Sequence, residues 1–252
     1  MNRVFIIGAL LGAASGAAAQ GLPPEEQYHM RVEYLQWRAS LDAELQAGVF
    51  GTRIDLKQDL GIEDKRVWEL RAALQVAPGF KVRGSMTPLE YLGDTRITGS
   101  FVFDGRIYPV DSRVLSRVEG KLYSASLEFD VFKNRSGYIG LVLGGMMFDG
   151  DATIAAPELQ IDEREDLRTP VPLIGVTGRI YAGKMSFDGE LSGVTVGQRG
   201  HMYELRLGVR YHVSERMAIG GGYRLMKIQG EDDPDFVRFR QGGITFGAEL
   251  SL

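Results

Sequence analysis

The feature that most constrains the fold is a strict alternation of apolar and polar side chains along most of the chain. In its clearest form, every second residue from Tyr203 to Val213 is apolar, and Glu204, Arg206 and Arg210 lie between them. Successive side chains of a strand point to opposite faces of a sheet, whereas an amphipathic helix repeats every 3.6 residues. The period of two therefore predicts β-structure.

The same alternation recurs to the end of the chain and predicts ten strands in one domain over residues 33–252. They are expected at about 33–47, 66–76, 79–91, 118–132, 137–149, 171–182, 185–196, 200–213, 217–229 and 237–252. Asp104-Gly105 is a hairpin signal between residues 97–103 and 106–110. No repeat at a solenoid or propeller period divides the region.

The N-terminus has the three parts of a secretory signal peptide. Met1–Arg3 carries positive charge, residues 4–16 are apolar, and Ala17–Ala19 fits a small-residue cleavage site before Gln20. The alternative is a membrane anchor or a buried helix. We predict a signal peptide over residues 1–19 and an N-terminal leader over residues 20–32.

Composition narrows the classes of protein and of site. The net charge of −4 does not indicate a nucleic-acid binder, and the absence of Cys excludes a thiolate metal site, a disulfide framework and a lipid anchor on Cys. His29 and His201 have no nearby His or Cys that would complete a metal site. We therefore expect no cofactor, no metal and no nucleic acid among the ligands.

Strand length and loop length favour a membrane barrel over a soluble sandwich. Many predicted strands have 11–15 residues, whereas soluble strands peak near ~5–6 and membrane-spanning strands need ~9–11. Short connections at 77–78, 133–136, 183–184 and 214–216 alternate with long ones at 48–65, 92–117 and 150–170 and a moderate one at 230–236; only 197–199 breaks the pattern. This is the topology of outer-membrane barrels.

Aromatic residues near the strand ends indicate interfacial girdles, although ordinary core or edge aromatics would explain them equally well. Those near the short turns are Phe80, Phe132, Tyr138 and Tyr211, and those near the long loops are Trp68, Phe148 and Tyr203.

The last strand, Gly243–Leu252, carries an alternating apolar face to the end of the chain. It resembles the C-terminal strand that the assembly machinery of bacterial outer-membrane β-barrels recognises, although Leu252 stands where the family usually has Phe or Trp. The resemblance implies an all-β, closed up-and-down antiparallel transmembrane barrel of about ten strands (range 8–12). It also implies location in the outer membrane of a Gram-negative-type bacterium, with membrane lipid, lipopolysaccharide and the barrel-assembly machinery as partners of a monomer.

If the apolar face contacts lipid, the polar face, which also carries Lys81, His212 and Glu249, lines the lumen. The residues predicted to form a lumen charge network are Arg38, Asp42, Glu44, Glu69, Arg71, Arg83, Glu128, Asp130, Arg179, Asp188, Glu190, Glu204, Arg206, Arg210 and Arg224. Near balance of charge favours paired side chains over a selective field. About eight strands give a filled interior and about sixteen an open channel, so we expect a largely plugged lumen.

Two further sequence motifs bear on function. His212-Val213-Ser214 resembles the His and Ser of lipid-A deacylating barrels, but it lies at the periplasmic end with Val213 facing lipid, which favours a structural role. In the loop 51–62, Ile54, Leu56, Leu60 and Ile62 predict either a lid over the barrel mouth or ordinary loop packing.

We therefore expect a non-enzymatic barrel whose structural or surface-interaction role is carried by the loops 48–65, 92–117 and 150–170. The alternatives are a narrow channel or transporter for small solutes and a membrane-embedded enzyme acting on lipid or peptide. A soluble secreted barrel with a ligand inside is a further alternative. Fold does not decide among them.

Overall fold

The computed structural model describes residues 26–46, 52–96, 100–103, 106–195, 200–232 and 235–252. The strands are β1 (Met30–Gln46), β2 (Ile54–Asp55), β3 (Lys65–Ala77), β4 (Phe80–Arg96), β5 (Phe101–Phe103), β6 (Arg106–Tyr108), β7 (Arg113–Asn134), β8 (Gly137–Ala156), β9 (Ile161–Ala182), β10 (Met185–Thr195), β11 (Gly200–His212), β12 (Met217–Asp232) and β13 (Asp235–Ser251). The predicted signal peptide and the leader as far as residue 25 lie outside the described residues.

Ten of these strands form one closed antiparallel barrel. Neighbours along the sheet follow chain order, β1-β3-β4-β7-β8-β9-β10-β11-β12-β13. The first and last barrel strands close the ring, with pairs from Arg31↔Ser251 to Gln46↔Phe236. β2 adds to the edge of β1, and β5 and β6 form a separate hairpin with the pair Phe103↔Arg106. The predicted ten-strand up-and-down barrel is confirmed, and closure leaves no free sheet edge.

The strands on one side of the barrel are longer than predicted. The connection predicted over residues 150–170 is mostly sheet, because β8 continues to Ala156, a 3₁₀ turn spans Pro157–Leu159, and β9 begins at Ile161. The expectation of a long loop there was wrong. Apolar and polar residues no longer alternate in this stretch. The β8–β9 pairing nevertheless continues from Gly150↔Leu167 to Ala156↔Ile161.

A band of exposed apolar side chains surrounds the barrel. Members on six different strands are Leu74, Leu143, Ile174, Leu207, Ile219 and Phe246, and their exposed fractions run from 48% to 71%. A contiguous apolar surface of this kind would be unfavourable in water and is the usual lipid-facing surface of a membrane barrel. The described residues contain no helix long and apolar enough to cross a membrane.

Two aromatic residues placed in the girdles by sequence point into the barrel instead. Tyr138 is 8% exposed and lies under the ammonium of Lys81 at 3.6 Å, and Phe148 packs against the interior apolar cluster. Trp68 and Tyr211 do lie outside, at 39% and 46% exposure. Nearness to a strand end does not specify the face on which a side chain lies.

The interior changes character with height. On the inward face of β1, Arg31 and Glu33 near the chain termini are followed by Trp37, Ala39 and Leu41. The lower interior is charged, and the upper interior is an apolar cluster with residues from most of the barrel strands. In the upper part of the barrel the strands extend beyond the apolar outer band. Their exterior side chains are polar there, and their apolar side chains point inward.

Candidate functional site in the barrel lumen

The lower lumen is filled by ion pairs in three layers. In the layer nearest the termini, Arg179 on β9 binds Glu249 on β13 through two hydrogen bonds of 3.0 and 2.9 Å. Glu26, which precedes β1 and is fully buried, accepts a hydrogen bond of 2.9 Å from Arg31. Lys81 binds Glu128 at 2.7 Å. This layer closes the lumen at the end where β1 begins and β13 ends.

Glu26 lies before the first membrane-spanning strand, and three cations surround its carboxylate. Burial by itself raises the pKa of this carboxyl, but the charges of Arg31, Arg179 and Lys81 and the hydroxyl of Tyr181 outweigh burial and hold the pKa below its usual value. Glu26 is therefore negatively charged at neutral pH, and its buried side chain fills the lumen where β1 begins.

The middle layer joins opposite walls. Arg83 on β4 contacts Glu190 on β10 and donates to Glu128 at 2.9 Å. Arg71 on β3 donates to Glu33 at 2.9 Å. Since β4 and β10 are separated by three strands on the shorter path around the ring, the Arg83–Glu190 contact crosses the lumen.

The upper layer is a four-residue cluster. Arg206 binds Glu69 across the lumen at 2.8 Å, Arg224 binds Glu69 at 3.1 Å, and Arg224 binds Glu204 at 2.6 Å. Above it, the Arg224 guanidinium lies 4.4 Å from the centre of the Trp37 ring. Trp37 thus separates the charged lower lumen from the apolar upper interior, through a cation–π contact made away from water.

The void left among these side chains is small. A cavity of about 100 Å³ lies between residues such as Arg71, Arg83 and Glu190, and a neighbouring one has about 30 Å³. Both cavities are lined by polar groups and are large enough to hold ordered water. Among the described residues, no group of three or more His, Asp or Glu side chains is placed to hold a metal ion.

The structure brings together most of the predicted charge network. Those lying in the lumen with ion-pair partners are Glu69, Arg71, Arg83, Glu128, Asp130, Arg179, Asp188, Glu190, Glu204, Arg206, Arg210 and Arg224. Arg38, Asp42 and Glu44 are not among them, because even-numbered residues of β1 point outward. Their placement in the lumen was wrong, and Glu44 instead pairs with Arg238 at 3.3 Å on the outside.

Sequence reasoning missed three members of the network, Glu26, Arg31 and Glu33. All three fall in or beside the leader predicted over residues 20–32, whereas β1 begins at Met30. A signal was present, since Arg31 and Glu33 alternate with Val32 and Tyr34. Read by itself, this lower stretch places both on the lumen face, because its charged residues are odd-numbered whereas those from Arg38 to Glu44 are even-numbered.

The loop after β1 closes the mouth of the barrel at the end opposite the charged layers. Ile54, Leu60 and Ile62 are each 2% exposed and pack in the apolar cluster with Tyr108, the last residue of β6. We call residues 52–64 the lid. Of the two readings of this loop, lid or ordinary packing, the structure supports the lid.

Backbone hydrogen bonds and one glycine position the lid. The amide of Leu56 donates to the Ala43 carbonyl, and the amide of Thr52 donates to the Val102 carbonyl, both at 2.9 Å. A Cβ at Gly93 of β4 would overlap the carbonyl oxygen of Leu60. The lid can therefore lie against the inside of β4 only because residue 93 has no side chain.

His212 and Ser214 do not form a pair. His212 points inward and its Nε2 lies 2.8 Å from the hydroxyl of Ser186, whereas Ser214 is exposed and accepts amide hydrogen bonds from Arg216 and Met217 in the turn. Ser186 is 0% exposed and His212 is 5% exposed. This contact is therefore shielded from both solvent and lipid.

Comparisons with known proteins identify the class of fold. No protein-family model and no curated protein matches the chain. The crystal structure of outer membrane protease OmpT from Escherichia coli matches with a TM-score of 0.59 and 8% identity, over 88% of this chain and 96% of that one. Neisserial surface protein A matches with a TM-score of 0.36 and 13% identity, over 89% and 97%. At such low identity the likeness shows the fold alone, that of small bacterial outer-membrane β-barrels.

Proposed function

We propose that the protein is a non-conducting outer-membrane barrel whose structural or surface-interaction role is carried by the end that bears the lid. One observation carries the proposal: ion pairs such as Arg83–Glu190 and Arg206–Glu69 join strands on opposite sides of the lumen. Above them lie the apolar interior and the lid, so the surface outside the membrane is what the barrel offers to other molecules.

Conductance measurements test this proposal. The full-length protein, purified and reconstituted in a planar bilayer, is expected to give no stable current steps. Replacing Arg83, Glu190, Glu69 and Arg206 by Ala removes two cross-lumen pairs and is expected to increase leak. Replacing the exposed exterior pair Lys65 and Glu90 by Ala is the matched control, expected to stay silent. Large stable steps from the native barrel would overturn the proposal.

A second candidate, a narrow path for small ions, is favoured by the polar cavity of about 100 Å³ within the network. The same recordings separate the two, because a wet path would give small, cation- or anion-selective steps in the native protein. Such steps should also disappear when the size of the permeating ion exceeds that of a hydrated alkali ion.

Membrane location and orientation are part of the proposal. The exposed apolar band supports it, and heat-modifiable migration of the outer-membrane fraction tests it. An epitope inserted after Glu158, in the turn at the lid-bearing end, is expected to be labelled on intact cells; one inserted after Gly183, in a short turn, is not. N-terminal sequencing of the mature protein tests cleavage after Ala19.

We also propose that the barrel is a monomer without enzymatic activity, inserted by the barrel-assembly machinery and surrounded by lipid and lipopolysaccharide. The buried Ser186–His212 contact supports the non-enzymatic part, because a substrate would have to displace the strand packing to reach it. Sedimentation in detergent tests the monomer. Reduced assembly in cells of the Leu252→Asp variant, together with unchanged refolding in detergent, tests the assembly signal.

A further inference from the structure

Four cations lie together on the outside of the barrel, at the upper edge of the apolar band. They are Lys227 on β12, Arg240 on β13, Arg38 on β1 and Arg66 on β3. These strands are neighbours in the ring. We call these four side chains the basic patch.

The depth of the basic patch is set by the apolar residues below it. Arg66 is two residues along β3 from the exposed Trp68, and Lys227 is two residues along β12 from Leu225. A strand rises about 3.3 Å per residue, so both charges stand roughly 7 Å beyond the last apolar side chain on the same face. That is the level of lipid head groups, which long Lys and Arg side chains reach readily.

Like charges in the basic patch face each other directly. The sheet register pairs Arg38 with Arg66 and Lys227 with Arg240. Such pairs are destabilising on a sheet unless an anion lies between them. Within the described part of the chain, none of the four forms an ion pair; Asp42, opposite Arg240, is the one carboxylate paired with the patch in the register.

The opposite side of the barrel differs at the same level. There Lys121 on β7 and Arg168 on β9 both lie opposite Asp149 of β8 in the register, and further up β7 Arg117 binds Glu119 at 3.3 Å. On that side a carboxylate residue thus stands between the cations, whereas the cations of the basic patch oppose each other directly.

We propose that the basic patch binds the phosphate groups of an outer-leaflet lipid head group, one phosphate at Arg38–Arg66 and another at Lys227–Arg240. Charge complementarity and continuity with the lipid-facing band carry the proposal, which rests on the membrane placement proposed above. The stacked rings of Tyr34 and Trp68, 6.3 Å apart, lie just below Arg38 and Arg66 and fix this part of the wall at the interface.

Trp68 is a natural reporter for the test. The two tryptophans differ in access, because Trp37 is 1% exposed inside the lumen and Trp68 is 39% exposed among lipid. The full-length barrel is reconstituted in phosphatidylcholine vesicles containing a minor fraction of chain-brominated phosphatidic acid, whose bromines quench Trp68 on contact. Quenching above that expected from bulk composition measures preference for the phosphorylated lipid.

The native barrel is expected to prefer the phosphorylated lipid about 25-fold over phosphatidylcholine beside Trp68, where Arg38 and Arg66 both lie. Each cation near an anionic surface contributes roughly fivefold, so Arg38→Gln with Arg66→Gln should reduce the preference to about that of bulk lipid. Lys121→Gln with Arg168→Gln, on the opposite side, is the matched control and should keep it. Native-like preference in the R38Q/R66Q variant would overturn the proposal.

A second measurement distinguishes a site for lipid head groups from a general anion site. Inorganic phosphate at tens of millimolar, with ionic strength held constant, is expected to leave quenching unchanged. Full displacement by inorganic phosphate would overturn the lipid assignment. Two measurements show independently whether the membrane barrel is intact: the heat-modifiable migration of each variant and its insertion into pure phosphatidylcholine vesicles. A failure of phosphate binding at the basic patch can therefore be distinguished from a failure of the membrane placement.

Discussion

Replacing Glu69 by Gln tests the architecture of the lumen most directly. The Glu69 carboxylate is fully buried and accepts hydrogen bonds of 2.8 and 3.1 Å from Arg206 and one of 3.1 Å from Arg224. The substitution keeps the shape of the side chain but leaves two buried guanidinium groups to share the carboxylate of Glu204. Removing one partner of a buried pair costs about 3–5 kcal/mol, because an uncompensated charge stays buried.

The assay is equilibrium unfolding by urea in lipid vesicles, followed by Trp fluorescence and by the mobility of the unheated barrel on gels. Trp37 stacks over Arg224, so its emission should report loss of the upper layer before the whole barrel opens. We expect the free energy of unfolding of E69Q to fall by about 3–5 kcal/mol. The E69Q protein should still migrate as a folded barrel at low denaturant.

Asp42→Asn is the matched control, because sequence alternation put Asp42 in the lumen and the structure puts it on the polar exterior above the membrane. It is expected to leave the unfolding midpoint almost unchanged. The reasoning is refuted if Asp42→Asn destabilises the barrel as much as Glu69→Gln, or if Glu69→Gln costs less than about 1 kcal/mol, which is the range of a surface change.

Three further substitutions probe the two ends and the middle of the interior. Gly93→Val should force Leu60 and the lid away from β4, with faster proteolysis of the lid and a loss of about 1–3 kcal/mol; an unchanged cleavage rate would contradict the docking described. Because the folded pKa of Glu26 is lowered, its stabilisation is fully present above its unfolded pKa of about 4.5 and is lost as pH falls through the lower folded value. Aminopeptidase digestion should therefore accelerate below that pH in the native protein but show no such dependence in Glu26→Gln. Trp37→Ala should cost about 3–5 kcal/mol in the same urea assay and expose Arg224 to water.

The repeating polarity of the strands predicted much of the fold. Alternation along Tyr203–Val213 and its counterparts located all ten barrel strands, and Asp104-Gly105 marked the β5–β6 hairpin, although those two residues lie outside the described ones. These features are local: the side-chain period, the turn residues and the length of a strand each leave a mark on a short stretch of sequence.

The contacts of the lumen did not follow from local pattern. The polar face supplied residues such as Arg83 and Glu190, but 107 positions separate them in the chain and only the closed ring brings them together. The lid is a similar case, because Ile54, Leu60 and Ile62 have no regular period and become buried only where Gly93 leaves space.

On β1 the sequence determined the alternation but not which face points inward. Trp37 and Leu41 were assigned to lipid because apolar faces of membrane strands usually contact it, yet the strand continues above the apolar band. There the surroundings are water outside and packed side chains inside, so the polarity of the two faces is reversed relative to the membrane zone. Alternation by itself determined that the chain forms strands and about how many; the height of each residue relative to the membrane, which only the closed and tilted ring sets, decided whether Arg38, Asp42 and Glu44 face the lumen or the exterior.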